Sequence, residues 1–285
     1  MYFLSILSCF KNESHILQEW LQHYLNQGVD HFFLINNGST DDFRSTLQPF
    51  LDRLQVTLIE DAQKHAQEIL LNRYGLSLKS ATQWLLLVDL DEFVYARGGY
   101  STIPQFLIQL EKKDPLASQV FIPWKMFGSN GFKTQPSSVR QSFVLRQDYD
   151  FLERTQAQGM NERGKILGKT IVNMRFIRRL GVHHSRMRYQ GHDYSSSFQR
   201  TIPTNFQPIN EAILKENCLH LNHYAIQSWE YFSKVKMKRG DVLNVDNETI
   251  RNEQYFQSYD TKHLMDNELA QLTDNVIVEE IVKCL

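Results

Sequence analysis

Apolar and polar positions follow two rhythms along the first ninety residues. Residues 2–9 form a short apolar run that predicts a strand. Residues 14–27 place Ile16, Leu17, Trp20, Leu21, Tyr24 and Leu25 at helical spacing on one face. Gly28 stands where a helix C-terminal cap belongs. A second strand is expected over 29–36 and a turn over Asn37-Gly38-Ser39-Thr40, with Asp41 and Asp42 suited to the first turn of the next helix. A third strand over about 55–60, a helix over about 62–80 and the apolar run WLLLVDL at 84–90 continue the alternation.

Such alternation implies an α/β fold: a mostly parallel central sheet, right-handed crossovers and helices on both faces. Ligands in such sheets bind beyond the carboxyl ends of the strands. Three polar clusters fall at those ends: Lys11-Asn12-Glu13, Asn36-Asn37-Gly38-Ser39 and Asp89-Leu90-Asp91-Glu92. Their convergence on one sheet edge is the first argument for a site. Beyond residue 95 the pattern is less regular. A strand is expected over 119–127, loops or antiparallel excursions over 130–165, and helices over 226–240 and 262–284. The expected division is a main domain over 1–240 and a helical C-terminal extension over 241–285.

Composition narrows the class. The 285 residues are 42% apolar and 22% charged, with net charge −1, an ordinary globular balance without a nucleic-acid signature. Eight Lys or Arg and no acid lie between Arg163 and Arg188. That stretch suits a solvated face, or a holder of diphosphate or of an anionic acceptor. The three cysteines, Cys9, Cys218 and Cys284, form no CxxC, so free thiols in a cytoplasmic, reducing setting are expected. MYFLSILSCF reads as a buried first strand rather than a signal peptide, and no stretch approaches the ~20 apolar residues of a membrane-spanning helix.

Asp89 and Asp91 are two apart at the end of an apolar strand. Alternate strand residues point the same way, so both carboxylates are expected to face one side, roughly 7 Å apart between Cα atoms, with Leu90 in the core. Two hard oxygen donors at an open strand end suit Mn²⁺ or Mg²⁺, which could bridge the phosphates of a nucleotide sugar. Loop solvation is the plainer reading of any one acid. Three acids after LLLV concentrate negative charge that needs a cation or donor group.

Taken together, these blocks resemble glycosyltransferases of the GT-A fold, bacterial members related to families 2 and 92. The resemblance rests on KNESHILQEWLQHYLNQGVDHFFLINNGSTDD at 11–42, WLLLVDLDEFV at 84–94 and LNHYAIQSWEYFSKVKMKRG at 221–240, with a weaker WKMFGSNG at 124–131. It implies a GT-A (Rossmann-like) domain using a nucleotide-diphosphate sugar and a divalent ion. Asn37 would sit near the base, with Asn12 and Glu13 also on the donor side. Asp89 would face the ribose or metal, Asp91 would ligate the metal, and His223 would be its C-terminal ligand. Trp124, Gly128 and Ser129 would line the sugar pocket. Gln227 stands where the family often has Lys.

Other residues are weighed on chemistry. His220 and His184 are alternative ligands to His223, and Cys218, His220 and His223 make a C-x-H-x-x-H pattern that zinc could use. Lys169 is the first choice for a phosphate contact. Lys234, Lys236, Lys238 and Arg239 crowd one helix and repel unless acids or an anion are near. Family resemblance favours inversion, which needs a general base; Glu230 and Asp193 are the candidates. The expected activity is hexose transfer, with UDP-galactose as first donor, to a glycan or lipid-linked glycan in cell-surface polysaccharide or lipopolysaccharide synthesis. Peripheral contact with the inner membrane face and a homo-oligomer are compatible with this. The rivals are a non-catalytic sugar- or nucleotide-binding protein and a sugar nucleotidyltransferase. The latter's glycine-rich phosphate loop is replaced here by Cys9-Phe10-Lys11-Asn12.

Overall fold

The computed structural model describes residues 1–64, 66–151, 167–188, 190–201, 210–239 and 251–272. Strands β1 (Tyr2–Phe10), β2 (His31–Asn36), β3 (Val56–Glu60) and β4 (Thr82–Leu87) alternate with helices α1 (Ser14–Asn26), α2 (Phe43–Asp52) and α3 (Gln67–Gly75). β5 (Glu92–Ala96) leads to α4 (Ile103–Lys113) and β6 (Ala117–Met126). After them come β7 (Leu145–Arg146), β8 (Gly168–Asn173), β9 (Ile177–Arg179), β10 (Arg186–Met187), β11 (His192–Ser195), β12 (Arg200–Thr201), β13 (Leu219–His223) and β14 (Leu264–Met265).

The main sheet runs β12-β11-β6-β8-β4-β1-β2-β3. Its β4-β1-β2-β3 half is parallel, as the alternation predicts, and β8 enters antiparallel to both β4 and β6. β13 joins through β6, in parallel, and pairs antiparallel with β5. Period-two alternation sends successive side chains of β1 to opposite faces. Leu4 and Ile6 pack in the core with Trp20 of α1, Leu47 of α2 and Phe106 of α4. Leu7 packs on the other face with Leu70 and Leu71 of α3. Helices therefore cover both faces, and the α/β class with a mostly parallel sheet is what the structure has.

Two local readings differ. WLLLVDL is not one strand, because β4 ends at Leu87 and Asp89-Leu90 leads through a turn into β5. Buried Glu92 stabilises that turn: its Oε2 accepts from the Asp89 backbone N–H (2.8 Å) and its Oε1 from Trp124 Nε1 (2.7 Å). The helix expected over 62–80 shortens to α3 followed by a 3₁₀ turn at Leu76–Ser80. Of the C-terminal segment, 251–272 is described. It carries a helix at Glu253–Tyr259, and a third reading differs here: the described part of the helix expected over 262–284 holds β14, paired with β7, and a single helical turn at Glu268–Gln271, because this stretch pairs with β7 instead of coiling; 240–250 and 273–285 lie outside the described residues. Cys9 and Cys218 are free thiols, and Cys284 lies outside the described residues.

Candidate functional site

The chain leaves β1 for β2 on one side, then returns to place β4 on the other. That reversal opens a crevice beyond the carboxyl ends of β1 and β4, the position where open α/β sheets bind ligands. A cavity of about 530 Å³ occupies it.

Each wall has a local cause. After Phe10, Asn12 adopts a left-handed conformation (φ 55°), which Asn tolerates better than most residues. Its Oδ1 accepts from the Thr40 backbone N–H (2.7 Å), tying the β1 end to the turn after β2. Asn37 Nδ2 donates to the carbonyls of Asp61 and Gln63 (both 2.9 Å), closing the adjoining loop. Glu13 is buried, accepts from Tyr231 Oη (3.2 Å) and pairs with Arg239 (3.1 Å).

The floor is acidic and already counter-charged. Asp89 accepts from Gln67 Nε2 (2.7 Å) and Lys169 Nζ (2.8 Å). Asp91 is paired with the Lys236 ammonium, and its Oδ1 lies 3.7 Å from His223 Nε2. Burial opposes ionisation of Asp91, but Lys236 and His223 hold its carboxyl well below the ordinary range. Glu92 is pushed up to about 8, by burial first and against the pull of Lys169, with Asp89 and Asp91 adding repulsion. Burial, then Lys169, pushes the imidazole of His183 down to about 4, so it is neutral at physiological pH.

Asn12, Glu13, Asn37, Asp89, Asp91, Trp124 and His223 all line this cavity. His223 closes β13 rather than standing in a loop, and its ring lies 4.4 Å from that of Trp124. Five predicted residues stand elsewhere. Lys169 is buried beneath the floor as counter-ion to Asp89, with Glu92 3.4 Å away. Gly128 and Ser129 face the C-terminal segment, where a Cβ on Gly128 would meet the Thr261 carbonyl oxygen at 2.3 Å and Ser129 N–H donates to Asp260 (2.7 Å). Glu230 pairs with Lys234 at the surface (2.7 Å) and accepts from the Gln135 N–H (3.0 Å). Asp193 is buried against Ser118 and Gln119 on the far side of the 181–185 turn. Neither candidate base lines the cavity, because sequence neighbours in a helix or strand need not share a sheet edge.

His220 meets Glu268 (2.9 Å) and the Leu214 carbonyl (2.8 Å), and Cys218 lies near Gly98, so the C-x-H-x-x-H residues face different surroundings. His184 stands with Gln119 and Asp193. Among the described residues no set of three His, Cys, Asp or Glu side chains already converges as a metal shell. Asp91 and His223 are the pair that could hold a divalent ion. The carboxylate oxygen suits Mn²⁺ or Mg²⁺, while the imidazole, whose Nε2 faces Asp91, favours Mn²⁺ of the two.

Sequence reasoning missed much of the opposite wall: Lys236, Lys238, Arg239, Arg251 and Tyr255, with Lys64 and Gln67. The crowding of cations over 234–239 was the available signal. A π-helical turn at Phe232–Lys236 resolves it by burying Lys236 against Asp91, while Arg239 reaches Glu13.

The profile of glycosyltransferase family 92 matches residues 5–273. The chain belongs to that family. A family 92 protein of Ricinus communis is 22% identical over 245 residues, 85% of this chain and 39% of that protein. One of Oryza sativa subsp. japonica is 21% identical over 231 residues, 80% of this chain and 34% of that protein. The chain thus spans less than half the length of these family 92 relatives. Both are plant proteins, so the expected bacterial kinship is not borne out. Among solved structures, S. aureus TarS aligns over 90% of this chain and 70% of its own at 11% identity and TM-score 0.38. Its complex with UDP-GlcNAc aligns over 60% and 45%, at 14% and 0.36. Likeness of that order carries no argument about the site. Among the described residues no helix is long and apolar enough to cross a membrane.

Proposed function

We propose that the crevice beyond β1 and β4 transfers a sugar from a nucleotide-diphosphate donor to a hydroxyl of a glycan or lipid-linked glycan. The donor is UDP-linked in this reading, with UDP-galactose first. One observation carries it: the acidic floor of Asp89 and Asp91 faces a wall of cations from the 232–239 helical turns. The acceptor oxygen bonds to the anomeric carbon as the bond from that carbon to the phosphate oxygen breaks. The electron pair leaves with the diphosphate, and the proton of the acceptor hydroxyl passes to water, since neither Glu230 nor Asp193 lines the crevice. In this reading Lys238 and Arg251, with Lys236 and Arg239 beside their carboxylate partners, line the crevice and would neutralise the leaving charge. A single displacement of this kind inverts the anomeric centre. Mn²⁺ or Mg²⁺, held by Asp91 and His223, would add to that neutralisation. The ion and the Lys236 ammonium compete for Asp91.

The test is release of UDP from UDP-sugars, with and without Mn²⁺ and glycan acceptors. Acceptor-dependent release lost in Asp91→Asn supports the reading. A chain that neither binds UDP nor releases it from any UDP-sugar refutes it.

A further inference from the structure

The basic stretch singled out in the sequence is only partly used by the crevice. Its described arginines from Arg178 onward lie on the two-stranded ribbon β9–β10. Arg178, Arg179, Arg186 and Arg188 line a second hollow of about 940 Å³ with Glu68, Asn72 and other neighbours. All four are exposed. The register sets Arg179 directly opposite Arg186, and like charges facing each other across a ribbon are destabilising. Glu68 relieves Arg179 (2.8 Å). Among the described residues Arg178, Arg186 and Arg188 have no acidic partner. Asp193, the other acid of the hollow, is buried and already accepts from Ser118 Oγ (2.8 Å) and Gln119 Nε2 (3.0 Å).

The hollow and the crevice share a wall. Val182 and His183 line the crevice, and His184 and Ser185 line the hollow. The turn between them is tight: Gly181 N–H donates to Ser185 Oγ (3.2 Å), and a Cβ on Gly181 would lie 2.1 Å from the His184 carbonyl oxygen. A ligand crossing this turn reaches both cavities. Guanidinium groups recognise carboxylate and phosphate oxygens through paired N–H donors.

We infer that the β9–β10 hollow is an acceptor subsite that takes an anionic substituent, a carboxylate or phosphate, on the saccharide whose hydroxyl enters the crevice. The inference rests on the transfer reading of the crevice and names its acceptor class. It assigns the arginines a binding role with no part in the chemical step.

The experiment measures binding of a short oligogalacturonate, a neutral malto-oligosaccharide of equal length and inorganic phosphate to the full chain. It compares wild type with Arg178→Gln/Arg186→Gln/Arg188→Gln. These exposed positions should leave the fold intact, with a melting temperature unchanged or slightly raised as the Arg179–Arg186 repulsion is relieved. The expected result is oligogalacturonate binding that weakens with salt and falls about tenfold or more in the variant, with the neutral sugar bound far less. Phosphate competing with the oligogalacturonate locates the interaction at the anion. Equal binding by wild type and variant, or no preference for the charged sugar, overturns the inference. So does capture of the chain by phosphatidylglycerol vesicles without oligogalacturonate binding, which makes the ribbon a membrane contact. Stabilisation by UDP is measured on both proteins. Its absence from wild type would refute the transfer reading, whereas its persistence alongside failed saccharide binding would refute the subsite alone.

Discussion

At the residue scale the site is a set of buried charges that neutralise one another. Asp91 and Lys236 are each about 4% exposed, so neither tolerates loss of the other. Breaking one partner of such a pair costs about 3–5 kcal/mol, because the survivor stays buried and unpaired. Asp91→Asn should therefore lose turnover and also lower the midpoint of urea unfolding. Adding Lys236→Met should recover much of the stability and none of the turnover. Full stability in Asp91→Asn alone would show that the two charges are not coupled. His223 and His220 separate just as clearly. His223 faces Asp91, whereas His220 is occupied by Glu268 and the Leu214 carbonyl. In Mn²⁺ titrations with UDP present, His223→Ala should weaken binding of the ion by at least about tenfold, since losing only an outer-shell partner already costs about 10–100-fold. His220→Ala should leave that affinity unchanged. The reverse result would exchange their roles.

Among the elements, the C-terminal segment 251–272 is joined to the sheet by ion pairs. Asp266 accepts from Lys125 Nζ (2.8 Å) on β6 and from Arg146 Nε (2.7 Å) on β7, and both cations are almost wholly buried. Glu268 adds contacts to Arg97 (2.6 Å) and Tyr95 Oη (2.8 Å). Burial opposes ionisation of Asp266, but Lys125 and Arg146 hold its carboxyl below the ordinary range. A depressed folded-state pKa gives stability that is fully present above the unfolded value, near 4, and is lost as pH falls through the folded value. Thermal stability should thus fall steeply below about pH 4. Asp266→Asn should cost about 3 kcal/mol or more at pH 7 and flatten that acid limb. An unchanged acid limb in the variant would remove Asp266 from the linkage. Because Arg251 and Tyr255 of this segment line the crevice, the same variant should also weaken UDP binding.

For the whole molecule, the crevice gathers the ends of β1, β4 and β13 with the 232–239 turns and the C-terminal segment. A ligand bound only by the folded chain stabilises it by about 2.7 kcal/mol at a hundredfold excess over Kd. UDP should raise the melting temperature more than GDP, ADP or CMP does, and EDTA should reduce the UDP shift. A larger shift with another nucleotide would displace uridine from the proposal.

The helical and strand rhythms of the first ninety residues, Gly28 past α1 (φ 84°) and polar ends on apolar strands were legible in the chain. So was the convergence of Asn12, Asn37 and the Asp89/Asp91 pair, because each depends on local periodicity and on where parallel strands end. Local pattern could not say which distant charge meets which. Lys169 looked like a phosphate ligand and is a buried counter-ion, since β8 runs antiparallel beside β4 and sets it under Asp89. Glu230 and Asp193 looked available as bases, but one lies on the outer helix surface and the other behind the 181–185 turn. The four cations of 234–239 repel one another when read as a helix. Glu230 balances Lys234 locally, four residues away, whereas Asp91 and Glu13, brought from distant parts of the chain, balance Lys236 and Arg239. Periodicity depends on neighbours three or four residues away and is written in the chain. Charge pairing across 145 residues, as between Asp91 and Lys236, depends on the sheet order that brings their elements together.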